Sequence, residues 1–289
     1  MKNRASLTAE YMALFRALES SRPASARLFS DPGAAGFLQG WRKWLNALSR
    51  FPAGLRLAEE VLDRAAPGAR AAGIARTKWI DDEATAALNT ATQLVLLGAG
   101  FDMRAYRLPA AARATIFELD HPQTSLAKQA ALANAARPAR QIRYAGIDFG
   151  SQSVAEVLMQ AGFDQTQPTC FIWEGVTNYL TAEDVDRALR QIRQSAGDSI
   201  LLFTYIDRAV LDHPERFLGA AKLLARVASY GEPWTFGLRP EELKPYLAAR
   251  GFELVKDTGV AEVWQRTGRP SPGPRGYEFY RLAAARTAG

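Results

Sequence analysis

The pattern of apolar and polar positions changes character near residue 90. Before that point apolar residues recur at helical spacing, and residues 11–18 predict an amphipathic helix with Thr8 as its cap. The same spacing predicts helices over residues 37–48, 55–64 and 72–88. After it, short apolar runs alternate with helical segments, which predicts parallel strands joined by right-handed crossovers. The predicted strands cover residues 93–98, 115–119, 141–145, 169–174 and 199–206.

The last third of the chain has a different pattern. Residues 240–250 are predicted to be helical, and two short strand-like runs follow at 252–256 and 260–266. The turn residues Asp257, Thr258 and Gly259 lie between these runs, which predicts a terminal antiparallel hairpin. Residues 207–237 lack strand character and have the composition of an inserted lid.

A Gly-x-Gly turn ends the first predicted strand. Gly98 and Gly100 let the backbone approach a ligand closely, because they carry no Cβ atom. The second strand delivers Asp120 22 positions after Gly98, where a carboxylate can hold two ribose hydroxyls. Met103 stands where a dinucleotide fingerprint needs its third glycine. The turn therefore favours a nucleoside cofactor without a pyrophosphate, and S-adenosylmethionine is the obvious candidate.

The chain divides into three predicted parts. Residues 1–90 are expected to form a helical N-terminal cap. Residues 91–268 are expected to form a Rossmann-like domain that binds S-adenosylmethionine and carries the lid at about 207–237. Residues 269–289 are expected to be a C-terminal tail.

Composition narrows the class of protein. The 36 Lys and Arg residues against 30 Asp and Glu residues give a net charge of +6, but the basic residues are scattered, so we expect no nucleic-acid partner. One cysteine and two histidines argue against a disulfide and against a metal site. Glu10 and Arg16 interrupt the N-terminal apolar pattern, which excludes a signal peptide. No apolar run has the length of a membrane span. We therefore expect a cytoplasmic enzyme without a membrane partner, and its oligomeric state stays open.

Several motifs resemble one known family. The stretches 97–108, 117–122 and 173–180 are similar to the signature motifs of the leucine carboxyl methyltransferase family, above all its bacterial branch of small-molecule O-methyltransferases. Residues 16–19, 31–32 and 75–82 fit the same pattern, so the resemblance covers roughly residues 6–256. It implies an α/β, class I methyltransferase-like Rossmann fold, with a mostly parallel sheet, a helical cap and an inserted lid.

The resemblance also implies roles for individual residues. Gly98 would shape the cofactor turn, and Asp120 would hold the ribose. The remaining roles are Asp148 and Phe149 at the adenine, Arg76 at the methionine carboxylate, Glu174 beside the methionine amine and sulfonium, and Tyr179, as the catalytic residue, near the methyl acceptor.

Each assignment has a purely structural alternative. Asp120 could cap the next helix, Asp148 could shape a turn, and Arg76 could pair with Asp81 or Asp82. Glu174 follows a buried strand, where an unpaired carboxylate is costly, so a functional reason is favoured there.

Asp102 and Arg104 could pin the glycine loop together. His121 precedes Pro122 and is expected to begin a helix rather than act as a base.

The acceptor is the least constrained part of the prediction. A carboxylate is ionised at neutral pH and needs no base, whereas a phenol or alcohol does, and the scarcity of histidines favours a carboxylate. Gly150 replaces an arginine with which the phosphatase-methylating branch of the family holds a peptide C-terminus, so a small, secondary-metabolite acceptor is favoured. Tyr179, Trp234 and Phe236 are candidates for the acceptor pocket or for the core of the lid. An NAD(P)-dependent oxidoreductase and a non-catalytic nucleoside-binding protein stay open as alternatives.

Overall fold

The computed structural model describes residues 7–133, 141–195, 197–270 and 273–288. The first six residues of the predicted cap, and residues 271, 272 and 289 of the predicted tail, lie outside this description. The strands are Gln93–Leu97 (β1), Thr115–Asp120 (β2), Ile142–Gly146 (β3), Thr169–Trp173 (β4), Ser199–Ile206 (β5), Phe252–Gly259 (β6) and Tyr280–Thr287 (β7). The helices are Leu7–Ser20 (α1), Gly40–Leu48 (α2), Pro52–Ala65 (α3), Ala69–Ala87 (α4), Arg104–Arg107 (α5), Pro122–Ala131 (α6), Val154–Gln160 (α7), Ala182–Ser195 (α8), Ala209–Asp212 (α9), Ala220–Ser229 (α10), Pro240–Ala248 (α11) and Val260–Arg266 (α12).

All seven strands form one sheet in the order β3-β2-β1-β4-β5-β7-β6. Strands β1 to β5 are parallel, and β7 runs antiparallel to both β5 and β6. Each of the five strands predicted between residues 93 and 206 lies within one residue of its predicted bounds. The predicted α/β fold, with a mostly parallel sheet and antiparallel end strands, is confirmed.

The details of the antiparallel end differ from the prediction. Residues 260–266 were expected to form the second strand of a hairpin, but they form α12. Val260, Val263 and Trp264 are the buried residues of this segment, and their spacing of three and four is that of one helix face. The Glu262 carboxylate accepts a hydrogen bond from the backbone N–H of Gly259 at 3.2 Å, which fixes the first turn of the helix.

The second antiparallel strand lies in the segment that was expected to be a tail. Strand β7 inserts between β5 and β6, and Ala283, Ala284 and Ala285 at its centre are fully buried. Alanine favours helices by intrinsic propensity, so the local sequence gives no strand signal. Tertiary packing decides the conformation here, because the strand pairs with β5 and β6 while Ala284 packs into one core and Ala283 and Ala285 into the other.

The two faces of the sheet carry separate apolar cores. Along β1, Leu94 and Leu96 belong to the core under α4 and α12, whereas Val95 and Leu97 belong to the core under α7, α8 and α11. This double burial explains why the central strands are continuous apolar runs rather than alternating ones.

A third core joins α1, α2 and α3 in the N-terminal region. Helix α4 instead packs on the sheet, although the predicted cap includes it. The division of the chain into cap, Rossmann-like domain and tail stays a prediction.

Candidate functional site

A cleft of about 410 Å³ opens at the carboxyl ends of the central strands. The sheet order reverses between β1 and β4, because the chain runs outward to β2 and β3 on one side and to β4 and β5 on the other. In open α/β sheets a ligand crevice forms at such a reversal. The volume is within the usual range for small-molecule sites, which is about 300–1,000 Å³.

The structure brings all the residues of the predicted site together at this cleft. Those that line it are Arg76, Gly98, Gly100, Asp120, Asp148, Phe149, Glu174 and Tyr179. Their positions agree with one shared site, while the role of each remains a prediction. Helix α1 and the predicted lid also contribute to the wall, through Thr8, Met12 and Glu232 among others.

The glycine turn is held against β2 by its own backbone. The N–H groups of Gly98 and Ala99 both donate to the Leu119 carbonyl, at 2.8 and 3.0 Å. Gly98 has a φ of +68°, and a Cβ atom there would collide with the Val176 side chain. Glycine is therefore required at position 98 for two reasons, the left-handed backbone and the lack of space.

Asp120 closes this turn from the end of β2. Its carboxylate accepts hydrogen bonds from the backbone N–H groups of Gly100 and of His121, the latter at 2.6 Å. Burial raises the pKa of Asp120, and the two N–H donors together with Lys128 offset only part of that effect. A carboxylate offers about four acceptor positions, so two stay available for hydroxyl donors.

The chain after the turn contains no long helix that could receive a pyrophosphate. Helix α5 has only four residues, and Met103 precedes it as a buried residue. A dinucleotide site needs a helix N-terminus directed at the phosphates. The geometry therefore agrees with the prediction, made from the missing third glycine, that the cofactor has no pyrophosphate.

Two arginines hold Glu174, which directly follows β4. The Nε atom of Arg76 donates to one carboxylate oxygen at 2.6 Å, and Nη1 of Arg104 donates to the other at 2.6 Å. Burial would raise the pKa of Glu174, but the charges of Arg104 and Arg76 outweigh it and hold this pKa below its ordinary value. Glu174 is therefore an ionised carboxylate in a half-buried position.

Arg104 lies next to the site and makes several ion pairs that the sequence did not reveal. Only 2% of its surface is exposed. Besides Glu174, it donates to Asp102 at 2.5 Å and to Asp81 at 2.7 Å. The alternative that Asp102 and Arg104 hold the glycine loop together agrees with the ion pair between them. The same guanidinium also joins the loop to α4 and to the end of β4.

The ion pairs continue from Arg104 toward the N-terminal region. Arg107 donates to Asp81 at 2.6 and 2.8 Å, and Arg16 of α1 donates to Asp31 at 2.8 Å and to the Phe101 carbonyl at 2.6 Å. We call this set the arginine network. It comprises Arg16, Arg76, Arg104 and Arg107 with Asp31, Asp81, Asp102 and Glu174. The network contains four cations and four carboxylates, so its formal charges balance.

Arg76 pairs with Glu174 and not with Asp81 or Asp82, so the alternative pairing proposed from the sequence is not the one found.

Asp148 and Phe149 lie at the opposite end of the cleft, after β3. The Asp148 carboxylate accepts from the Gly150 N–H at 3.0 Å and is exposed, so it does shape its own turn. The Phe149 ring is half-buried and its centroid lies 6.5 Å from that of Trp173. A turn-forming role does not exclude contact with a ligand, because both residues also line the cleft.

Tyr179 lies where the cleft meets α1 and the predicted lid. Burial raises the pKa of its hydroxyl, so the group stays protonated at neutral pH. Its ring packs edge-on against Trp234 at 6.4 Å. Thr8 does not cap its helix but lies within α1, and its hydroxyl donates to Glu232 of the lid at 3.1 Å.

The other two candidate pocket aromatics are not among the residues that line the cleft. Phe236 is buried in the core under α8 and α11, so the structure favours the core over the pocket for this residue. Trp234 lies behind Tyr179 and packs against Phe279 and Tyr280. The aromatic residues Phe279 and Tyr280, absent from the predicted site, thus pack against Trp234, which in turn contacts Tyr179 at the cleft.

The comparisons with known proteins agree with this geometry. The family model described as leucine carboxyl methyltransferase matches residues 9–193. This chain belongs to that family. A relative from Parafrankia sp., named "Putative S-adenosyl-L-methionine-dependent methyltransferase", is 32% identical over 98% of this chain and 87% of its own length.

Two solved structures share the fold. The crystal structure of a "putative methyltransferase" from Thermobifida fusca has a TM-score of 0.58 at 21% identity, covering 94% of this chain and 97% of that one. A protein of the duf574 family from Streptomyces avermitilis has a TM-score of 0.59 at 17% identity, covering 82% of this chain and 91% of that one. At these identities the likeness concerns the fold alone.

Two further findings bear on the predicted partners. Within the part of the chain that the structure describes, no helix combines the length and apolar character needed to cross a bilayer. Among the same residues, no group of three or more His, Cys, Asp or Glu side chains is arranged to hold a metal ion.

Proposed function

We propose that this chain is an O-methyltransferase that transfers the methyl group of S-adenosylmethionine to an acidic oxygen, foremost a carboxylate, of a small secondary-metabolite acceptor. Membership of the family, with the names of its relatives, supports the coarser statement that the protein is an S-adenosylmethionine-dependent methyltransferase. The same membership disfavours the NAD(P)-dependent oxidoreductase and the non-catalytic nucleoside-binding protein.

The residues of the cleft fit the cofactor. Asp120 has acceptor positions left for two ribose hydroxyls, and Gly98 and Gly100 line the cleft beside it. Asp148 and Phe149 would hold the adenine. Arg76 gives its Nε–H to Glu174, so its terminal nitrogens would serve the methionine carboxylate.

Glu174 suits the cationic part of the cofactor. Its lowered pKa keeps it ionised, and an ionised carboxylate stabilises a nearby amine or sulfonium cation. S-adenosylmethionine supplies the activated methyl group when it is bound. The work of the chain is then to position the acceptor oxygen and to exclude water from the displacement.

The observation that carries the choice of an acidic acceptor is the environment of Tyr179. With its pKa raised by burial, its hydroxyl can donate a hydrogen bond to an acceptor oxygen but cannot remove a proton from it at neutral pH. His121, the histidine at the cleft, is occupied at the start of α6, where Nδ1 accepts from the Gln123 N–H at 3.4 Å. An acceptor that is already ionised requires neither residue as a base.

The pH dependence of the reaction tests this choice. Carboxylic acids and phenols would be screened with radiolabelled cofactor, and methyl esters would be recognised by the methanol that alkali releases from them. A carboxylate acceptor has a pKa of about 4 and is fully ionised from about pH 6 to 9. Because its ionisation state does not change over this range, kcat/KM should be flat there. Turnover of phenols alone, with a rate that rises toward their pKa of about 10, would contradict the proposal.

Substitution of Tyr179 by phenylalanine separates donation from proton removal. Tyr179→Phe should lower kcat/KM about fivefold to tenfold, the net value of one hydrogen bond, and leave affinity for S-adenosylhomocysteine unchanged. Tyr230→Phe, on an exposed tyrosine within the predicted lid, is the matched control and should have no effect. A loss of activity of about a thousandfold or more in Tyr179→Phe would instead assign Tyr179 as a general base.

A further inference from the structure

The hairpin of helices α2 and α3 exposes an unusual amount of apolar surface. Of the eleven large apolar side chains that are exposed in the described part of the chain, six lie between residues 41 and 61. They are Trp41, Trp44, Leu48, Phe51, Leu57 and Val61. Trp44 and Phe51 are 76% and 69% exposed. Exposed apolar side chains that are concentrated in one region of a folded protein, rather than scattered singly, are typical of an interaction site.

The exposed residues follow helical spacing. Trp41, Trp44 and Leu48 are three and four positions apart and lie along one side of α2, whose buried residue is Leu45. Leu57 and Val61 are four positions apart on α3, whose buried residues are Leu55, Ala58 and Leu62. Each helix therefore has one apolar side that packs on the protein and further apolar residues that do not.

Unpaired cations lie among these residues. Lys43, Arg50 and Arg56 are exposed and form no ion pair with any described residue. The acidic residues of α3 do not neutralise them, because each is paired elsewhere: Glu59 with Arg22 and Arg70, Asp63 with Arg70, and Glu60 with Arg64. We call the six apolar residues and these three cations the α2–α3 face.

Tryptophan, phenylalanine and leucine flanked by lysine and arginine are the composition of helices that lie in a membrane interface. The cations approach anionic headgroups, while the aromatic rings enter the boundary with the acyl chains. From this combination we propose that the α2–α3 face binds the surface of an anionic lipid membrane. Such binding is peripheral and needs no spanning helix. It departs from the expectation of no membrane partner.

The charge of the face disfavours a second copy of the chain as its occupant. A two-fold dimer brings the same patch of both copies together. Lys43, Arg50 and Arg56 of one copy would then face the same cations of the other, and like charges across an interface are unfavourable. An anionic lipid surface has the complementary charge.

The face is also close to the mouth of the cleft. Helix α1 lines the cleft with Thr8 and Met12, and its Tyr11 packs edge-on against Trp41 at 6.2 Å. Glu10 of α1 pairs with Arg42 of α2 at 3.4 Å. Lipid binding would therefore hold the cleft near the membrane surface, although the proposal does not depend on which acceptor the cleft takes.

Co-sedimentation with vesicles tests the proposal on the full chain. Wild-type protein should pellet with vesicles of equal parts phosphatidylcholine and phosphatidylglycerol, and not with phosphatidylcholine alone. The binding should weaken with added salt, because exposed charges are screened over about 10 Å at 0.1 M.

Variants of exposed residues should leave the fold intact and separate the two contributions. The triple variant K43E/R50E/R56E should bind about a hundredfold more weakly, as expected for losing three cations from an anionic surface. W44S/F51S should lose about tenfold or more, from the loss of apolar insertion. Leu126→Ser and Lys244→Glu, on other exposed surfaces, are the matched controls and should bind as wild type. Melting temperatures of all variants should agree with wild type.

Three results would overturn the proposal. The first is the absence of binding to anionic vesicles, and the second is equal binding by wild type and both multiple variants. The third is a wild-type dimer in light scattering that W44S/F51S converts to a monomer, without lipid binding by either. That outcome would assign the face to a second copy of the chain.

Discussion

A half-buried carboxylate lies at the carboxyl end of each of the two strands that flank β1, and the two carboxylates are held by different groups. Asp120, the last residue of β2, accepts from the backbone N–H groups of Gly100 and His121. Glu174, after β4, accepts from the guanidinium groups of Arg76 and Arg104. Burial acts in the same direction on both, yet the pKa of Asp120 is raised and that of Glu174 is lowered.

The difference shows that the partner, not the burial, decides what a strand-end carboxylate can do. Backbone dipoles leave Asp120 with spare acceptor capacity and little effect on the rest of the molecule. Full cations tie Glu174 into the arginine network, which reaches from β4 to α1. Substitutions at Asp120 are therefore expected to affect mainly ligand binding. Substitutions around Glu174 are expected to affect both ligand binding and the stability of the fold.

The largest expected effect is the loss of Arg104. Arg104→Met should lower the free energy of unfolding by about 3–5 kcal/mol, because Asp102 would lose its ion-pair partner and Asp81 and Glu174 one of their two, at positions that are at most 16% exposed. Denaturation by urea measures this.

The matched control for Arg104 is Arg64→Met. Arg64 is exposed and pairs with Glu60 one helical turn away, at 3.4 Å, so its loss should cost less than about 0.5 kcal/mol. If both variants lose equally little, the arginine network does not stabilise the fold, and the contrast between the two ends of the cleft disappears.

The next effect concerns Asp120. Asp120→Ala should weaken binding of S-adenosylhomocysteine by about 1.5–3 kcal/mol, the scale of lost charge-assisted hydrogen bonds. Its effect on stability should be smaller than that of Arg104→Met. Calorimetric titration measures the affinity, with Asp164→Ala, in an exposed turn, as the control. Unchanged affinity in a folded Asp120→Ala protein would remove the ribose role.

The smallest expected effect is on the pH dependence of the free energy of unfolding. It distinguishes the two carboxylates most directly, because the two contributions have opposite signs. A lowered folded pKa means that Glu174 contributes stability above its ordinary value of 4.5, and that this contribution is lost as the pH falls below it. For Asp120, whose pKa is raised above 3.8, the sign is opposite: its contribution is present at low pH and lost as the pH rises through the raised value.

Unfolding free energies between about pH 3 and 6 test this pair of signs, and a shift of one pKa unit corresponds to only about 1.4 kcal/mol. The difference between wild type and Glu174→Gln should shrink as the pH falls. The difference between wild type and Asp120→Asn should change in the opposite sense. Parallel slopes for the two variants would contradict the comparison.

Much of the cleft could be predicted from the sequence because its residues follow strands. Apolar runs predicted the five parallel strands, and Gly98, Asp120 and Glu174 come at or directly after strand ends. Parallel strands bring their carboxyl ends to one edge of the sheet, so residues far apart in sequence are expected to meet there. The role of each residue is a separate question that the cofactor and acceptor experiments address.

The surfaces that face solvent or ligand could not be predicted in the same way. Apolar spacing in α2 and α3 predicts amphipathic helices, but spacing alone does not distinguish an apolar side that packs on the protein from one that stays exposed. Phe236 shows the same limit, since the sequence left it open between pocket and core and only the structure places it in a core.

The sequence by itself determined the five parallel strands and the glycine turn, since each depends on a local pattern of a few residues. The position of the cleft follows from them, because parallel strands end at one edge of the sheet. Only the tertiary structure decided that the alanine-rich residues 280–287 form a buried strand, because their own propensity favours a helix. Only the tertiary structure decided which cations meet Glu174, whose partners Arg76 and Arg104 lie 98 and 70 residues earlier in the chain. Ion pairs at such separations have no local signature, because packing sets the distances between their charges.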